Sequence, residues 1–458
     1  MIVKHFEEKI QELFQKAIAS LPMTDMWSME KNVTSFQHHV EADILIKKGG
    51  INFAVVEVKA SQYAKAFELA VIHARFAAIL LSTPFYFVVT PEKFAYFQSD
   101  IDGKLLRSES REITEFDITS ILRSEQPGEF DNKKWKESIE QISREVEESN
   151  DTKLQKAAIL QVLESLKYKE NFTPDNKTRK ILLAPDTEER LFDALLGLYK
   201  KKAVCRFTTL NSIFRTINTG KQSMCSIVAM NDKSETSYVG EYFKFKKWNF
   251  EKMSYLQSGP NDWNNSFITS CCDIDQENDF TMLRMYADDA KGVCIKYKVL
   301  DLTQFPGFIL RKVSYQRKDG THPELDIIIR LLDININGYT MALPDMSIWQ
   351  HFFKPKEYDF EKEVRLLYRK DKGGIQPNET FWILNDEFNI VSPLVNFEVT
   401  TAHNTYPLQL EDMTLGPKMR EADINSRQLS HLLQTAGPNS LINGPQVTIK
   451  VSDITHYR

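Results

Sequence analysis

The chain of 458 residues exceeds what one ordinary hydrophobic core needs, and its 42% hydrophobic and 26% charged residues are typical of folded globular proteins. This composition excludes a wholly disordered chain, a collagen-like repeat and a small disulfide scaffold. The formal net charge of −5 excludes a protein that coats nucleic acid through bulk positive charge, so any contact with DNA has to come from a local site.

The cysteines and the N-terminal segment indicate in which cellular compartment the protein is found. The odd number of cysteines includes no C-x-x-C pair, so we expect buried reduced thiols and neither a zinc ribbon nor a disulfide framework. The opening MIVKHFEEKIQELFQK is amphipathic and charged, unlike a signal peptide, and no apolar run approaches the ~20 residues of a membrane span. We therefore expect a cytoplasmic protein that does not engage a membrane.

Residues 1–125 alternate helical and strand patterns. An amphipathic helix is followed by a strand over 40–47, a Gly49-Gly50 turn and a strand over 53–59. A helix over 62–81 with an alanine-rich inner face comes next, and strands over 84–90 and 94–97 follow. The order strand, helix, strand implies a crossover, so we predict an α/β domain with a mixed sheet flanked by helices.

Three charged residues stand out in the predicted hairpin. Asp43 lies in its first strand, and Glu57 and Lys59, two apart, share a face of the second. Two carboxylates suit Mg²⁺ or Mn²⁺, and a neighbouring lysine can orient an attacking water and offset charge on a phosphate. The alternative is a surface Glu–Lys pair on an edge strand. The adjacent His38 and His39 face opposite ways on a strand, so they cannot chelate one ion together.

These residues match the PD-(D/E)xK nuclease pattern, and residues 1–125 resemble the N-terminal nuclease domains of type I restriction subunits, which have a restriction-endonuclease-like fold. The matching segments are EADILI, AVVEVKAS, IHARFAAI and PFYFVVTPEKFAYF. The resemblance implies a metal site of Asp43 and Glu57 completed by Glu8 or Glu7 from the first helix, with Lys59 catalytic. In the Q-A-x-x-Y-A motif of that family, His73 replaces the glutamine.

The rest of the chain divides into a connector and a second domain. Residues 126–178 form the connector: dense charge of both signs from about 130 to 170 accompanies helical spacing, which indicates two connecting helices, and a linker follows over 171–178. Residues 179–458 mix helices with aromatic-rich strands, including a strand over 203–208, so we predict an α+β domain.

Four blocks in this second domain resemble a widespread uncharacterised bacterial family with an F-N-D-P-x-E turn, a W-x-H-Y-A…H-K-G-V-C-I block and a Y-E-x-E-x-R strand. The blocks are RFTTL from Arg206, MNDKSE from Met230, MYADDAKGVCI from Met285 and YDFEKEVR from Tyr358. This copy departs from the family at four positions, which are Leu283, Met285, Ala290 and Phe360.

The order of these blocks is similar to the layout of ADP-ribosyltransferases, particularly those that modify DNA bases. That resemblance implies that Arg206 and Thr208 bind NAD, that Tyr286 lines the pocket and that Glu363 or Glu361 is catalytic. On one strand, Glu361, Glu363 and Arg365 would share a face. The alternatives are a solvated edge strand with paired charges and a domain that binds without catalysis.

Taken together, the sequence predicts a metal-dependent nuclease that cleaves DNA, joined to a regulatory or NAD-using domain. Bacterial defence against phage suits this combination by association. The first alternative is an ADP-ribosyltransferase-like toxin whose N-terminal domain binds or senses nucleic acid without cleaving it. The second is a non-catalytic scaffold, and a homo-oligomer is left open.

Overall fold

The computed structural model describes residues 2–35, 40–61, 64–99, 103–125, 128–176, 178–229, 237–246, 264–372, 379–385, 390–435, 441–442 and 444–455. It divides into two compact units. Unit 1 comprises Met1–Leu195, Val239–Gln257 and Pro323–Ser347, and unit 2 comprises Leu196–Tyr238, Ser258–His322 and Ile348–Arg458. The predicted boundaries at residues 125 and 178 differ from this division, because two segments from the second half of the sequence belong to unit 1.

The described helices, in chain order, are α1 (Ile2–Ala19), α2 (Ala64–Leu80), α3 (Glu115–Ser124), α4 (Asn132–Glu148), α5 (Lys156–Ser165), α6 (Pro185–Leu196), α7 (Leu210–Thr219), α8 (Tyr238–Phe245), α9 (Phe280–Tyr286), α10 (Pro323–Leu332), α11 (Met346–Trp349) and α12 (Ala422–Thr435). In this part of the chain no helix combines the length and apolar character needed to cross a membrane.

The described strands are β1 (Trp27–Ser35), β2 (Val40–Lys48), β3 (Ile51–Val58), β4 (Phe85–Val89), β5 (Phe94–Gln98), β6 (Leu105–Glu109), β7 (Phe172–Asp175), β8 (Lys180–Leu183), β9 (Ala203–Thr208), β10 (Lys221–Ser226), β11 (Ser266–Asp273), β12 (Val293–Val299), β13 (Phe308–Lys312), β14 (Ser314–Tyr315), β15 (Asn335–Ile336), β16 (Tyr339–Ala342), β17 (Phe353–Lys354), β18 (Glu363–Arg369), β19 (Glu379–Asn385), β20 (Ile390–Glu398), β21 (Leu408–Leu415) and β22 (Thr448–Val451). Helices and mixed sheets together confirm the predicted α/β character.

Unit 1 opens with a six-stranded sheet in the order β1-β2-β3-β4-β5-β6. Only β3 and β4 run parallel within it, and α2 makes the crossover between them. The core on one face joins side chains of α1 and α3 to the sheet, whereas α2 packs on β2, β3 and β4. The sheet is therefore mixed and flanked by helices, as the sequence predicts.

A two-residue turn joins β2 to β3. Gly49 and Gly50 have φ of 59° and 79°, the left-handed conformations that a turn of this kind demands and that glycine adopts without strain. Ile44 pairs with Val56, and a bulge between Ile46 and Lys47 shifts the register near the turn. The predicted hairpin is confirmed.

Small side chains let α2 lie close to the sheet. Ala70, Ala74 and Ala77 recur at helical spacing and are buried against β3 and β4. Leu81 continues this inner face just after the helix and is buried as well. The predicted alanine-rich face is therefore the packed face.

The connector contains the two predicted helices, α4 and α5. Trp135 of α4 is fully buried, and its indole Nε1 donates a hydrogen bond to the Leu166 carbonyl at 2.7 Å. The linker predicted over 171–178 is wrong, because Phe172–Asp175 forms β7 and pairs with β8. These two strands continue into a four-stranded sheet through β16, which lies over 150 residues later in the sequence.

Unit 2 contains a ten-stranded sheet in the order β19-β20-β10-β11-β9-β12-β21-β22, with β18 branching from β11 and pairing also with β13. The strand predicted over 203–208 is β9, and α7 ends before Gly220, a left-handed cap with φ of 64°. Central β11 lies between β9 and β18, which fixes the faces that these strands present.

Candidate functional site

Asp43 stands where the ladder between β2 and β3 ends. The last registered pair before it is Ile44 with Val56, and beyond that pair the Asp43 Oδ2 accepts a hydrogen bond from the Val58 backbone N–H at 2.6 Å. The carboxylate thus replaces a missing ladder partner, and one of its oxygens is fixed. Its orientation depends on the backbone of β3 and not on a mobile side chain.

Glu57 and Lys59 lie at the carboxyl end of β3. The Lys59 Nζ is 2.6 Å from Glu57 Oε1, and the Glu57 side chain is 8% exposed against 39% for Lys59. Because β3 is the third strand of six, this is not a pair on an exposed edge strand. A buried carboxylate on a central strand is costly unless it has partners, which makes this pair a candidate functional feature.

The ammonium of Lys59 lies among three carboxylates. Burial alone would lower the pKa of Lys59, but the hydrogen bond and charge of Glu57 and the charges of Asp43 and Glu7 raise it above its ordinary value. When these carboxyls are ionised, three negative charges face one positive charge. The cluster therefore carries two negative charges in excess, which a divalent cation would balance.

The first helix contributes Glu7 to this cluster. Glu7 is half-buried and acts electrostatically on Lys59, whereas Glu8 is exposed. Of the two glutamates that the sequence offered for the metal site, Glu7 is the one that the structure brings to the cluster.

Burial also affects Asp43. It raises the pKa of this carboxyl above its ordinary value, with a further contribution from Glu41, although the Val58 N–H and Lys59 act in the opposite direction. The ionised form of Asp43 is thus only partly compensated by the protein, which is the condition under which an added cation is bound most favourably.

His73 of α2 joins the site from the helix that covers β3. Its Nδ1 is 3.7 Å from Glu57 Oε1, and its side chain is about half exposed. In the sequence, His73 is distinguished only as the replacement of a family glutamine. Its position in that motif was the signal that could have placed it beside Glu57.

The donor set fits a hard cation that keeps part of its water shell. Asp43 and Glu57 offer carboxylate oxygens from adjacent strands, and Mg²⁺ needs only one or two such ligands. Among the described residues, no group of three or more His, Cys, Asp or Glu side chains has its donors already converged for a metal ion. Binding of a metal ion would require Glu57 to contact the ion as well as Lys59.

A second cluster, here called the unit 2 ion network, lies at the start of β18. It consists of Lys354, Glu361, Glu363 and Arg365, all buried. The Lys354 Nζ lies 3.0 Å from Glu361 Oε2 and 2.8 Å from Glu363 Oε2. Arg365 makes two parallel bonds to Glu363, of 2.8 and 2.9 Å, and donates to the His351 carbonyl. Two positive and two negative charges thus balance within the network.

The two glutamates differ in their titration. Burial, together with the charge of Glu363, raises the pKa of Glu361 above its ordinary value, although Lys354 and the Tyr286 hydroxyl act in the opposite direction. For Glu363, burial acts in the same direction, but Arg365 and Lys354 outweigh it and hold its pKa below the ordinary value. Glu363 is therefore the ionised partner of Arg365, and Glu361 is the group of the network that takes up a proton first.

The predicted shared face of Glu361, Glu363 and Arg365 is correct only for the last two. Glu361 ends a 3-10 helix (Lys356–Glu361), and Lys362 has a left-handed φ of 45° before β18 begins. Glu361 still reaches Glu363 through Lys354, and the Tyr286 hydroxyl donates to Glu361. Tyr286 and the two glutamates are thus brought together, whereas Lys354, the bridge between them, was missed because no local pattern marks it.

Arg206 and Thr208 do not join this network. Cys272 of β11 pairs with Cys205 on one side and with Glu363 on the other, so these three side chains share a face. Arg206 is adjacent to Cys205, and Arg206 and Thr208 therefore project from the opposite face. The expected pocket of Arg206, Tyr286 and Glu363 is not assembled, because the sheet separates its members.

Arg206 lies among phenols on that opposite face. It hydrogen-bonds the hydroxyl of Tyr297, whose pKa burial raises to about 12, and Tyr406 is also close. The described cysteines are all free thiols, as predicted, and four of them are buried. The histidines at 38–39 and the block over 230–235 lie outside the described residues.

Comparisons of the chain with protein-family models, with curated proteins and with solved structures find no match. The geometry of the two clusters is therefore the basis on which a function is proposed.

Proposed function

We propose that the chain is a metal-dependent nuclease that cleaves DNA at the Asp43–Glu57–Lys59 site, within a restriction-endonuclease-like domain. The observation that supports this most is the Lys59 ammonium beside Glu57 and among the charges of Asp43 and Glu7, where the ladder between β2 and β3 ends. The parallel pair β3–β4 and its crossover helix place this cluster at the carboxyl edge of the sheet, where α/β folds bind ligands.

Each residue has a defined part in the proposed reaction. Asp43 and Glu57 hold the divalent cation, and Asp43 is oriented by the Val58 N–H. A bound cation would polarise the scissile phosphate and lower the pKa of a coordinated water. Lys59, already beside Glu57, orients the attacking water and offsets the charge that develops on the phosphate. His73 adds a second positively chargeable group beside the same oxygen of Glu57.

Cleavage of a labelled DNA duplex by the purified full chain tests the proposal. Wild type is expected to cut in Mg²⁺ or Mn²⁺ and to stop in excess EDTA. D43N and E57Q should lose most activity, and K59M should bind the metal but cleave at least 100-fold more slowly, the usual effect of one electrostatic group. D25N is a matched control, because Asp25 pairs with Lys48 near the turn of the same hairpin. Equal rates for D43N and wild type would contradict the proposal.

For unit 2 we propose a regulatory or substrate-contacting role in support of the nuclease. The NAD-using alternative is less favoured, because Arg206 projects from the face opposite Glu363. The balanced charges of the unit 2 ion network are consistent with a structural role instead.

A further inference from the structure

Lys93 ends the connection between β4 and β5 at the same edge of the sheet as the candidate metal site. The backbone N–H and the hydroxyl of Thr90 both donate to the Lys93 carbonyl, at 2.8 and 2.9 Å, which closes this turn. At its start, the Val89 carbonyl accepts the backbone N–H of Lys59 at 2.9 Å. The turn therefore leaves the sheet directly beside Lys59.

The side chain of Lys93 is held by an aromatic ring. Its Nζ lies 4.3 Å from the centroid of the Phe67 ring, within the range of a cation–π contact. Phe67 belongs to the first turns of α2, the helix that also brings His73 to Glu57. Helix α2 thus holds Lys93 through Phe67 and carries His73 toward Glu57.

Lys93 also differs from the three lysines at the ends of the β2–β3 hairpin strands. Lys47, Lys48 and Lys59 are each paired with a carboxylate. In the described part of the chain, no Asp or Glu side chain lies within ion-pair distance of Lys93, and its described side-chain contact is to Phe67. Its positive charge is therefore neutralised by no ion pair and is only partly exposed.

Binding of nucleic acid at this site requires a positively charged side chain that is not already neutralised by an ion pair. Residues 1–125 contain 14 Lys and Arg against 17 Asp and Glu, so this region repels a phosphate backbone unless local cations receive it. We propose that Lys93, oriented by Phe67, binds a backbone phosphate and positions the nucleic-acid strand at the metal site. This inference rests on the proposed nuclease function and adds a substrate-binding residue to it.

Binding of a fluorescent DNA duplex to the full-length chain, measured from 50 to 200 mM salt in the D43N background to prevent cleavage, tests the inference. K93A should weaken binding several-fold and reduce the slope of log affinity against log salt by about one, and K93R should restore both. F67L should weaken binding less than K93A does. K133A is the control, because Lys133 is an exposed lysine of α4.

Steady-state kinetics of DNA cleavage distinguish the role of Lys93 from the nuclease proposal itself. In the otherwise wild-type chain, K93A should raise KM for DNA with kcat unchanged, which a folding defect would not produce. If wild type cleaves DNA and K93A matches it in affinity, salt slope and KM, the role of Lys93 is refuted and the nuclease proposal stands. If wild type neither binds nor cleaves DNA, both fail.

Discussion

Replacing Arg365 by methionine should destabilise unit 2 strongly. Arg365 is 1% exposed and provides two of the hydrogen bonds to Glu363. Without it, two carboxylates remain buried around the single ammonium of Lys354, and the His351 carbonyl loses a donor. Removing one partner of a buried ion pair costs about 3–5 kcal/mol, so we expect R365M to lose that much free energy of unfolding.

The matched control lies three residues away. Lys362 and Asp359 form a pair at 3.6 Å whose side chains are 49% and 41% exposed. Solvent screens such a pair, and K362Q should cost less than about 1 kcal/mol. The double variant E363M/R365M should be more stable than R365M alone, because it removes both charges and leaves Lys354 paired with Glu361.

Urea unfolding read by hydrogen–deuterium exchange of peptides from β11 and β18 resolves unit 2 from unit 1. Loss of protection in R365M should occur at a much lower urea concentration than in wild type, with K362Q close to wild type. If R365M and K362Q unfold at the same urea concentration, or if the double variant is less stable than R365M, the network does not act as a set of mutually compensating buried charges.

Three further predictions concern unit 1. D43N should raise the thermal midpoint at pH 7. Burial raises the pKa of Asp43 in the folded protein, so ionisation of this carboxyl lowers the free energy of unfolding at pH values above its pKa in the unfolded chain, and the gain from D43N should vanish near pH 3. The Arg111 hydrogen bond holds the pKa of Asp117 below its ordinary value, so D117N should lower the midpoint at pH 7, and its difference from wild type should shrink as pH falls below about 4. W135F should cost about 1–3 kcal/mol in urea unfolding, because the Leu166 carbonyl loses its indole donor. In each case an unchanged midpoint or free energy would contradict the stated cause.

Local patterns predicted the parts of the fold that depend on local physics. The Gly49-Gly50 turn and the alternation around it specified the hairpin, since few other residues adopt two consecutive left-handed conformations. The alanine repeat of α2 specified its packed face. Asp43, Glu57 and Lys59 came together because register follows from the hairpin.

Local sequence patterns could not predict which strands pair when they are far apart in the sequence. Nothing near residues 339–342 indicates that β16 pairs with β8, about 160 positions earlier. The separation of Arg206 from Glu363 depends on β11 lying between their strands, which neither local sequence encodes. Lys354 entered the unit 2 ion network through the fold and not through a motif.

Titration of Mn²⁺ into the metal-free full-length chain, followed by calorimetry, tests the central claim most directly. The excess negative charge around Lys59 predicts one saturable site per chain that Mg²⁺ displaces and that D43N and E57Q each weaken at least tenfold. D25N should bind as wild type does. No saturable binding by wild type, or equal binding by D43N and wild type, would contradict the assignment of this cluster as a metal site.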